Sequence, residues 1–527
     1  MKLKDIQQLE RAQSKSNIER YRLGIGLLFI LGIMIYVNSV IAAELNLMLI
    51  LAAVIGGYMA MNIGANDVAN NVGPAVGSRA MTLTTALFIA AIFEAAGAII
   101  AGGDVVGTIR SGIIDPSQIS DPDTFVWIMM GALMAAALWL NIATAVGAPV
   151  STTHSIVGAI LGGGIAAAGA EIVAWNVMAK IAISWVISPL LGGVVAALFL
   201  FIIKRRITYQ NDMTLAARAT VPWLVALMTW SFTTYLILKG LDRVWKAGFI
   251  NASLIGLILA GILFLVVRRR LRLNAHSMIN SKEGVNKLFT IPLIFAAALL
   301  SFAHGSNDVA NAIGPLAAIV DVYTNHPSAV TGNATIPLWV MVIGALGISL
   351  GLALYGPRVI RTIGSEITEL DQMRAYCIAM AATITVIIAS QLGLPVSSTH
   401  IAVGGVFGVG FLREYLKRNY ERMVLEIKAH HPEGDQVAID AFLSRFAKAS
   451  IPEKDQMLKE LKARSKADND PAHFSKLERK GLRKVYRKEL VKRSQIMKIV
   501  SAWIITVPAT AMISAMLFFM LKGMLGN

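Results

Sequence analysis

Long apolar runs dominate this chain and restrict what it can fold into. Thirteen segments of about 17 residues or more contain few charged residues, and a helix of that length can cross a hydrocarbon layer of about 30 Å. Hydrophobic residues make up 56% of the 527 residues and charged residues only 15%, which is not the balance of a soluble domain. We therefore predict an all-α polytopic membrane protein with about 10 to 13 transmembrane segments.

Two polar motifs interrupt this apolar sequence, and each occurs twice. Residues 64–74 return as residues 305–315 with eight of eleven positions identical. The second motif, Pro-Val-Ser-x-Thr-His, occupies residues 149–154 and 395–400 and follows the first at nearly the same distance in both copies. The chain is therefore an internal duplication, and ionisable groups inside its apolar segments mark a functional site.

Basic residues indicate how the copies are oriented. The net charge is +16, and Lys and Arg gather at the N-terminus, at 204–206, at 268–272 and in the hydrophilic stretch 413–498. Basic loops mark the cytoplasmic face, so one topology with a cytoplasmic N-terminus places all four inside. The two copies then run antiparallel as inverted-topology repeats, the architecture of secondary transporters. We expect glycines and prolines of the first motif to break helices. The segments that begin at the second motif are either full spans or half-helices and re-entrant hairpins, which is why the predicted number of crossings is a range.

The same features divide the chain into six parts. The predicted parts are a cytoplasmic N-terminal segment (1–21), a first transmembrane half with repeat 1 (22–203), linking helices with basic loops (204–287), repeat 2 (288–412), a hydrophilic cytoplasmic helical insert (413–498) and a last transmembrane helix (499–527). The single Cys377 excludes an intramolecular disulfide, so helix packing holds the fold. The basic stretches lack a nucleic-acid-binding module, and no nucleic acid partner is expected.

The second motif has the chemistry of an oxyanion site. Ser and Thr directly after Pro-Val are good N-cap residues, and a helix N-terminus presents free N–H groups and the positive end of the helix dipole. Two such ends, with hydroxyl donors, suit a tetrahedral oxyanion. The candidate residues are Ser151, Thr152, Thr153, Ser397, Ser398 and Thr399, joined by Asn66, Asn70, Asn307 and Asn311 of the first motif.

The first motif adds carboxylates that need a cation. Asp67 and Asp308 are costly inside a membrane, and neither motif contains Lys or Arg. Two aspartates beside a divalent oxyanion repel one another strongly at low dielectric, so cations must enter with the anion. Sodium bound by carboxylate and amide oxygens, or protons taken up by the aspartates, both satisfy this requirement. Glu94 is a third carboxylate in an apolar span and a further candidate for the cation, whereas Ile348 stands at its equivalent position in the other repeat.

Together these motifs resemble the signature of the PiT family of inorganic phosphate transporters. The resemblance covers residues 45–168 and 288–412. It implies an inverted-repeat symporter that moves phosphate with sodium or protons and is commonly a dimer in the cell's plasma membrane. It implies no enzymatic activity and no cofactor beyond the coupling cation. By motif match, Asp67 and Asp308 are cation and phosphate-site aspartates, and the runs that begin at Ser151 and Ser397 hold phosphate.

Other functions remain open on the sequence. Sulfate is also a tetrahedral oxyanion, so a sulfate permease of the same fold is an alternative. A passive anion channel is compatible with the composition, although buried carboxylates would repel an anion in a pore that needs no cation. An intramembrane aspartyl protease would also use two aspartates, but here both stand in an Asn-Asp-Val-Ala-Asn context, without the Gly-x-Gly-Asp of such enzymes.

Overall fold

In the computed structural model, the regular secondary structure of the described residues is helical apart from one isolated bridge. The described residues are 3–40, 47–119, 121–146, 150–240, 245–274, 278–324, 336–366, 370–429, 436–448 and 493–525, with residues 453, 456, 457 and 460. The helices are α1 (Leu3–Val40), α2 (Leu47–Gly77), α3 (Leu83–Ala101), α4 (Gly103–Ser111), α5 (Pro122–Val146), α6 (Thr152–Ala168), α7 (Trp175–Ile203), α8 (Met213–Gly240), α9 (Phe249–Leu273), α10 (Lys282–Lys287), α11 (Thr290–Asp308), α12 (Ala310–Thr324), α13 (Leu338–Glu366), α14 (Gln372–Gln391), α15 (Ser398–Ala429), α16 (Gln436–Lys448) and α17 (Arg493–Leu525).

Within the described part of the chain, eleven stretches of helix are long and apolar enough to span a membrane. This number lies within the predicted range, and the all-α polytopic class is confirmed. The two predicted segments that are not among the eleven are those that begin at the second motif. The first of them, α6, has only 17 residues, and the second forms the start of the long helix α15. The predicted insert 413–498 is covered only in part, because its residues 461–492 lie outside the described residues.

Helices α5 and α6 form a hairpin. The chain just before α5 pairs with the chain just after α6, through an isolated bridge between Ile114 and Val173 and a bond from the Asp115 N–H to the Ile172 carbonyl at 2.8 Å. The hairpin therefore starts and ends at one end of the bundle, and its tip lies inside. Helices α14 and α15 make the second hairpin, with residues 392–397 at its tip.

The expectation that the first motif breaks its helices is wrong for copy 1. Helix α2 continues through Gly64, Gly73 and Pro74 to Gly77. In copy 2 the interruption lies at Val309, between α11 and α12, and not at a glycine or proline. The reason is that Gly64 serves close helix packing, since a Cβ there would lie 1.9 Å from the Ile348 carbonyl oxygen of α13.

Matching contacts join each motif helix to a helix of the other copy. A Cβ at Gly64 would meet Ile348 of α13, and a Cβ at Gly305 would lie 2.2 Å from the Glu94 carbonyl oxygen of α3. Farther along the chain, α7 packs against α14 and α15, and α17 packs against α5 and α6. Each hairpin is thereby supported by a helix from the other half of the chain, and both tips are held near the middle of the bundle.

Candidate functional site: two hairpin tips and two aspartates

The tips of the two hairpins touch one another. The Thr153 hydroxyl of α6 donates to the Val396 carbonyl at 3.0 Å, and the ring centroids of His154 and His400 lie 4.4 Å apart. Trp185 of α7 stacks on His154 with ring centroids 3.7 Å apart, and the Trp503 ring of α17 lies 3.6 Å from His400 at an interplanar angle of 31°. The N-termini of α6 and α15 are therefore fixed beside each other, as two facing anion-binding ends require.

Asp67 of α2 is buried and is bound by both hairpins. The Thr152 hydroxyl donates to its Oδ2 at 2.8 Å, and the Thr399 hydroxyl donates to its Oδ1 at 2.9 Å. Asn70, one turn farther along α2, donates to the Thr399 hydroxyl oxygen at 2.7 Å. One motif helix thus contacts the N-terminal turns of α6 and of α15.

Asp308 at the end of α11 has an equivalent position. The Ser398 hydroxyl donates to its Oδ2 at 2.8 Å, just as Thr152 does to Asp67. Asn311 donates to the hydroxyl oxygens of Thr152 and Thr153, both at 3.1 Å. The sequence-predicted aspartates and hydroxyl residues are therefore brought together in one buried cluster.

Asn66 and Asn307 contact hairpin residues other than those that bind the two aspartates. The Asn66 amide donates to the Thr144 hydroxyl at 2.9 Å, and the Asn307 amide donates to the Ser390 hydroxyl at 3.0 Å. The Asn307 amide oxygen also accepts from the Val396 N–H at 3.3 Å. Sequence reasoning missed Thr144 and Ser390, although both are hydroxyl residues seven positions before the Ser of the second motif, a signal that aligning the repeats would have found.

Ser151 and Ser397 are helix caps. The Ser151 hydroxyl oxygen accepts from the His154 N–H at 3.1 Å and contacts the His154 Nδ1 at 2.7 Å. The Ser397 hydroxyl oxygen accepts from the His400 N–H at 3.2 Å. These bonds satisfy N–H groups that have no partner within the helix at its start. They also fix the shape of the hairpin tips, toward which the remaining free N–H groups point.

Glu94 joins the cluster through two partners, Asn71 and His304, which sequence reasoning did not place in the site. The Asn71 amide donates to Glu94 Oε1 at 2.8 Å, and His304 Nδ1 lies 3.2 Å from the same oxygen. His304 Nε2 lies 2.9 Å from Asp308 Oδ2 and 3.9 Å from Asp67 Oδ2. The imidazole therefore stands between three carboxylates.

Several buried oxygens of the cluster receive no hydrogen bond. Among the described residues these include Asn70 Oδ1, Asn311 Oδ1, Asp308 Oδ1 and Glu94 Oε2. Buried acceptors without donors are costly, and a cation relieves that cost by accepting their lone pairs. Carboxylate and amide oxygens are the ligands that hard cations prefer, and the acidic pair Asp67 and Asp308 lies within ligand reach of one point together with His304. The residues present fit a small cation.

Comparison with known proteins identifies the family of this chain. Residues 63–514 match the sequence profile described as the phosphate transporter family. The chain belongs to that family. It is 51% identical to a Helicobacter pylori (strain J99) protein named "Putative phosphate permease", with 98% of each chain covered. A protein from Pyrococcus abyssi, also named as a phosphate permease, is 40% identical over 69% of this chain and 89% of its own length.

A solved structure supports the fold of this phosphate transporter family member. The protein named "The sodium-dependent phosphate transporter" aligns with a TM-score of 0.72 and 30% sequence identity, and the alignment covers 91% of this chain and 100% of that one. The resemblance drawn from the motifs is therefore confirmed, as is the expectation that the chain is a transporter and not an enzyme. The aspartyl protease alternative is excluded by the same membership.

Proposed function

We propose that this family member imports inorganic phosphate by symport with a cation, sodium or protons, through alternating access to the cluster around Asp67 and Asp308. The observation that carries the proposal is the placement of two buried aspartates against the hydroxyl groups at the starts of α6 and α15. Donors for an anion and oxygens for a cation then lie in one site. No cofactor beyond the coupling cation is part of the proposal.

The anion is placed at the hairpin tips because they carry the donors. The N-termini of α6 and α15 contribute N–H groups and the positive ends of their dipoles, and the Thr152, Thr153, Ser398 and Thr399 hydroxyls can rotate from their present acceptors toward a phosphate oxygen. The Asn70 and Asn311 amide groups lie beside the same hydroxyls. Thr153 and Thr399 occupy equivalent positions, so phosphate would be approached from two sides.

The cation is placed beside the aspartates because hydroxyl donors that turn to phosphate leave those carboxylates without partners. Asp67 and Asp308 each have 1% of their surface exposed, so water cannot replace the lost donors. A cation that binds at the same time restores the electrostatic balance, and the binding of each ion then favours the other. The similar solved structure is that of a protein named as sodium-dependent, which supports sodium as the ion to test first.

Alternating access is supported by the matching contacts of the two copies. Equivalent residues make equivalent bonds: Thr152 with Asp67 and Ser398 with Asp308, or Asn70 with Thr399 and Asn311 with Thr153. In a fold built from two antiparallel copies, each copy can adopt the conformation of the other. This exchange opens the shared site first to one side of the membrane and then to the other. The inverted orientation of the copies is part of the proposal.

Uptake of labelled phosphate into proteoliposomes tests this function. The arms are an inward sodium gradient, an inward proton gradient and no gradient, each with and without excess sulfate. Accumulation above equilibrium in one gradient, resistant to sulfate, supports phosphate symport and names the ion. Equilibration without a gradient supports a channel instead, and strong competition by the excess sulfate supports a sulfate permease.

We further propose a plasma-membrane location with a cytoplasmic N-terminus and insert, and a homodimer as the assembled form. This orientation is supported by the basic residues at the N-terminus, at 204–206, at 268–272 and in 413–498, because basic loops mark the cytoplasmic face. Cys377 is buried, so a single cysteine introduced before α1 can be labelled selectively with an impermeant maleimide. Labelling only after the cells are opened supports the topology, and labelling of intact cells contradicts it. Light scattering in detergent, corrected for bound detergent, measures whether one or two chains assemble.

A further inference from the structure

The last turn of helix α11 carries a hydroxyl that the first copy of the motif lacks. Ser306 directly precedes Asn307, and the residue at the equivalent position of the first copy is Ala65. The buried Ser306 hydroxyl donates to the Ala303 carbonyl at 2.7 Å, and its oxygen lies 2.7 Å from the hydroxyl oxygen of Tyr235. Because a serine hydroxyl has one proton and the Ala303 carbonyl takes it, the Tyr235 hydroxyl is the donor to Ser306. This bond joins α11 to α8.

The Tyr235 ring is held in place independently of its hydroxyl. It is buried and stands edge-on to the Phe302 ring of α11, with ring centroids 6.2 Å apart and an interplanar angle of 90°. Phe232, one turn earlier on α8, makes the same kind of contact with Phe302 at 5.3 Å and 87°. Edge-to-face contacts of this kind stabilise aromatic pairs beyond the area that they bury. The hydroxyl is therefore presented to Ser306 by a ring that stays in position when the hydroxyl is removed.

The two motif helices differ in how their own backbone holds this turn. Helix α2 continues through Asp67 to Gly77, whereas α11 ends at Asp308. At the interruption the Val309 N–H donates to the Gly305 carbonyl at 3.4 Å, which is longer than the roughly 2.7–3.2 Å of ordinary N–H···O bonds. The backbone therefore holds the last turn of α11 weakly, and a side-chain bond from a neighbouring helix adds the missing support.

We propose that Tyr235 is a positioning residue of the site, which acts through Ser306 on the last turn of α11. That turn carries Asn307 and Asp308, and both contact the second hairpin. Asn307 Oδ1 accepts from the Val396 N–H at 3.3 Å, and Asp308 Oδ2 accepts from a hydroxyl of α15 at 2.8 Å. A rotation of the turn changes these contacts together. The assignment rests on the proposed symport, in which Asp308 lies beside the coupling cation.

Tyr235→Phe and Ser306→Ala test the assignment, singly and together. Each removes one end of the same hydrogen bond, and Ser306→Ala introduces the residue that the first copy has. The matched control is Tyr376→Phe, because this buried hydroxyl also donates to a helix, at 3.1 Å to the Leu224 carbonyl of α8. Leu224 precedes Tyr235 by 11 residues, which is about 16 Å along the helix. Uptake into proteoliposomes gives the half-saturating concentrations of cation and phosphate, and unfolding in detergent gives the Tm.

Tyr235→Phe is expected to raise the half-saturating cation concentration about fivefold, which is the effect of one lost hydrogen bond. The half-saturating phosphate concentration, measured at saturating cation, is expected to change less, because the hydroxyls at both hairpin tips remain. The Tm is expected to fall no more than in Tyr376→Phe. The double variant is expected to match Ser306→Ala alone, because Tyr235 and Ser306 share one bond.

Three results would overturn the assignment. Wild-type cation affinity in Tyr235→Phe would show that the hydroxyl does not position the turn. Effects that multiply, to about 25-fold in the double variant, would show that Tyr235 does not act through Ser306. A Tm loss larger than that of Tyr376→Phe, with both half-saturating concentrations changed alike, would show a role in packing only.

Failure of the proposed symport is recognised separately, in the wild type. If wild-type uptake shows no cation dependence, the symport proposal fails, and the rise in Tm that inorganic phosphate gives the purified protein then tests Tyr235. A smaller rise in Tyr235→Phe than in Tyr376→Phe supports positioning, and equal rises overturn it. Should Tyr235→Phe fail to fold, Ser306→Ala breaks the same bond from the other side. The same increase in the half-saturating cation concentration is expected, and wild-type affinity in Ser306→Ala overturns the assignment.

Discussion

Replacing Gly64 with alanine tests how closely the motif helix must approach its neighbour. A Cβ at this position would lie 1.9 Å from the Ile348 carbonyl oxygen, whereas ordinary contact begins near 3.4 Å, so α2 and α13 must separate by about 1.5 Å. Backbone atoms cannot rotate away as a flexible side chain can. Overpacking of this kind costs about 1–3 kcal/mol of stability. Because Asp67 lies one turn beyond Gly64, the separation also displaces the carboxylate from the hydroxyls that bind it.

A displacement of about 1 Å in a site that depends on geometry can cost about a hundredfold in rate. We therefore expect Gly64→Ala to lower both the Tm and the initial rate of phosphate uptake into proteoliposomes, with the rate falling more than tenfold. Gly107→Ala is the matched control, since a Cβ there meets nothing within 4 Å inside helix α4. Wild-type uptake and Tm in Gly64→Ala would refute the close-packing argument.

Four further substitutions distinguish residues that bind the ions from residues that hold the hairpin tips in place. Thr152→Val and Ser398→Ala each remove a hydroxyl that donates to a buried carboxylate at 2.8 Å, a bond of about 1.5–3 kcal/mol. Each variant is therefore expected to weaken the apparent affinity for the cation or for phosphate at least tenfold. Unchanged saturation curves for both ions would contradict this expectation. Ser397→Ala removes a cap and is expected to cost about 1 kcal/mol, seen as a lower Tm with little change in phosphate affinity. Trp503→Ala removes the ring that lies against His400 and is expected to lower the Tm more than Ser397→Ala does. An equal or smaller decrease in Tm would contradict a role of this ring contact in holding the hairpin tips.

The residues that cluster around Asp67 and Asp308 could be picked out from the sequence because their local chemistry is recognisable. Pro-Val-Ser identifies a helix start with its cap, and the structure places Ser151 and Ser397 as N-caps of α6 and α15. A carboxylate in an apolar run must have partners, and Asp67 has them. The repetition of the motifs predicted that the segments 149–154 and 395–400 lie together, because two copies in register are expected to form one shared site.

What could not be predicted depends on contacts between distant helices. A glycine in an apolar helix is equally suited to a break and to a close approach, and the sequence around Gly64 does not distinguish them. The position of the Ile348 carbonyl oxygen shows that Gly64 allows the close approach of α2 to α13. The contact of His304 with Glu94 was missed for the same reason, since 210 positions separate the two residues in the sequence and no local pattern links them.

The site departs from symmetry at one group of residues. In the register of the repeats, Glu94 corresponds to Ile348, His304 to Ile63 and Asn71 to Ala312. Glu94 contacts both Asn71 and His304, and all three apolar counterparts are completely buried.

A carboxylate introduced alone into such a position would be an uncompensated buried charge, so these three polar residues form one unit and not three independent substitutions. Glu94→Gln should therefore change more than one contact, because it removes the charge that His304 faces and replaces one of the two carboxylate oxygens beside Asn71 with an amide donor. If the unit holds the coupling cation, this variant loses cation dependence while the hydroxyls around Asp67 still bind phosphate. If the unit only supports packing, both affinities stay and the Tm alone falls. Measuring phosphate affinity and cation dependence on the same variant distinguishes these outcomes, and a loss of phosphate affinity with normal cation dependence would contradict both.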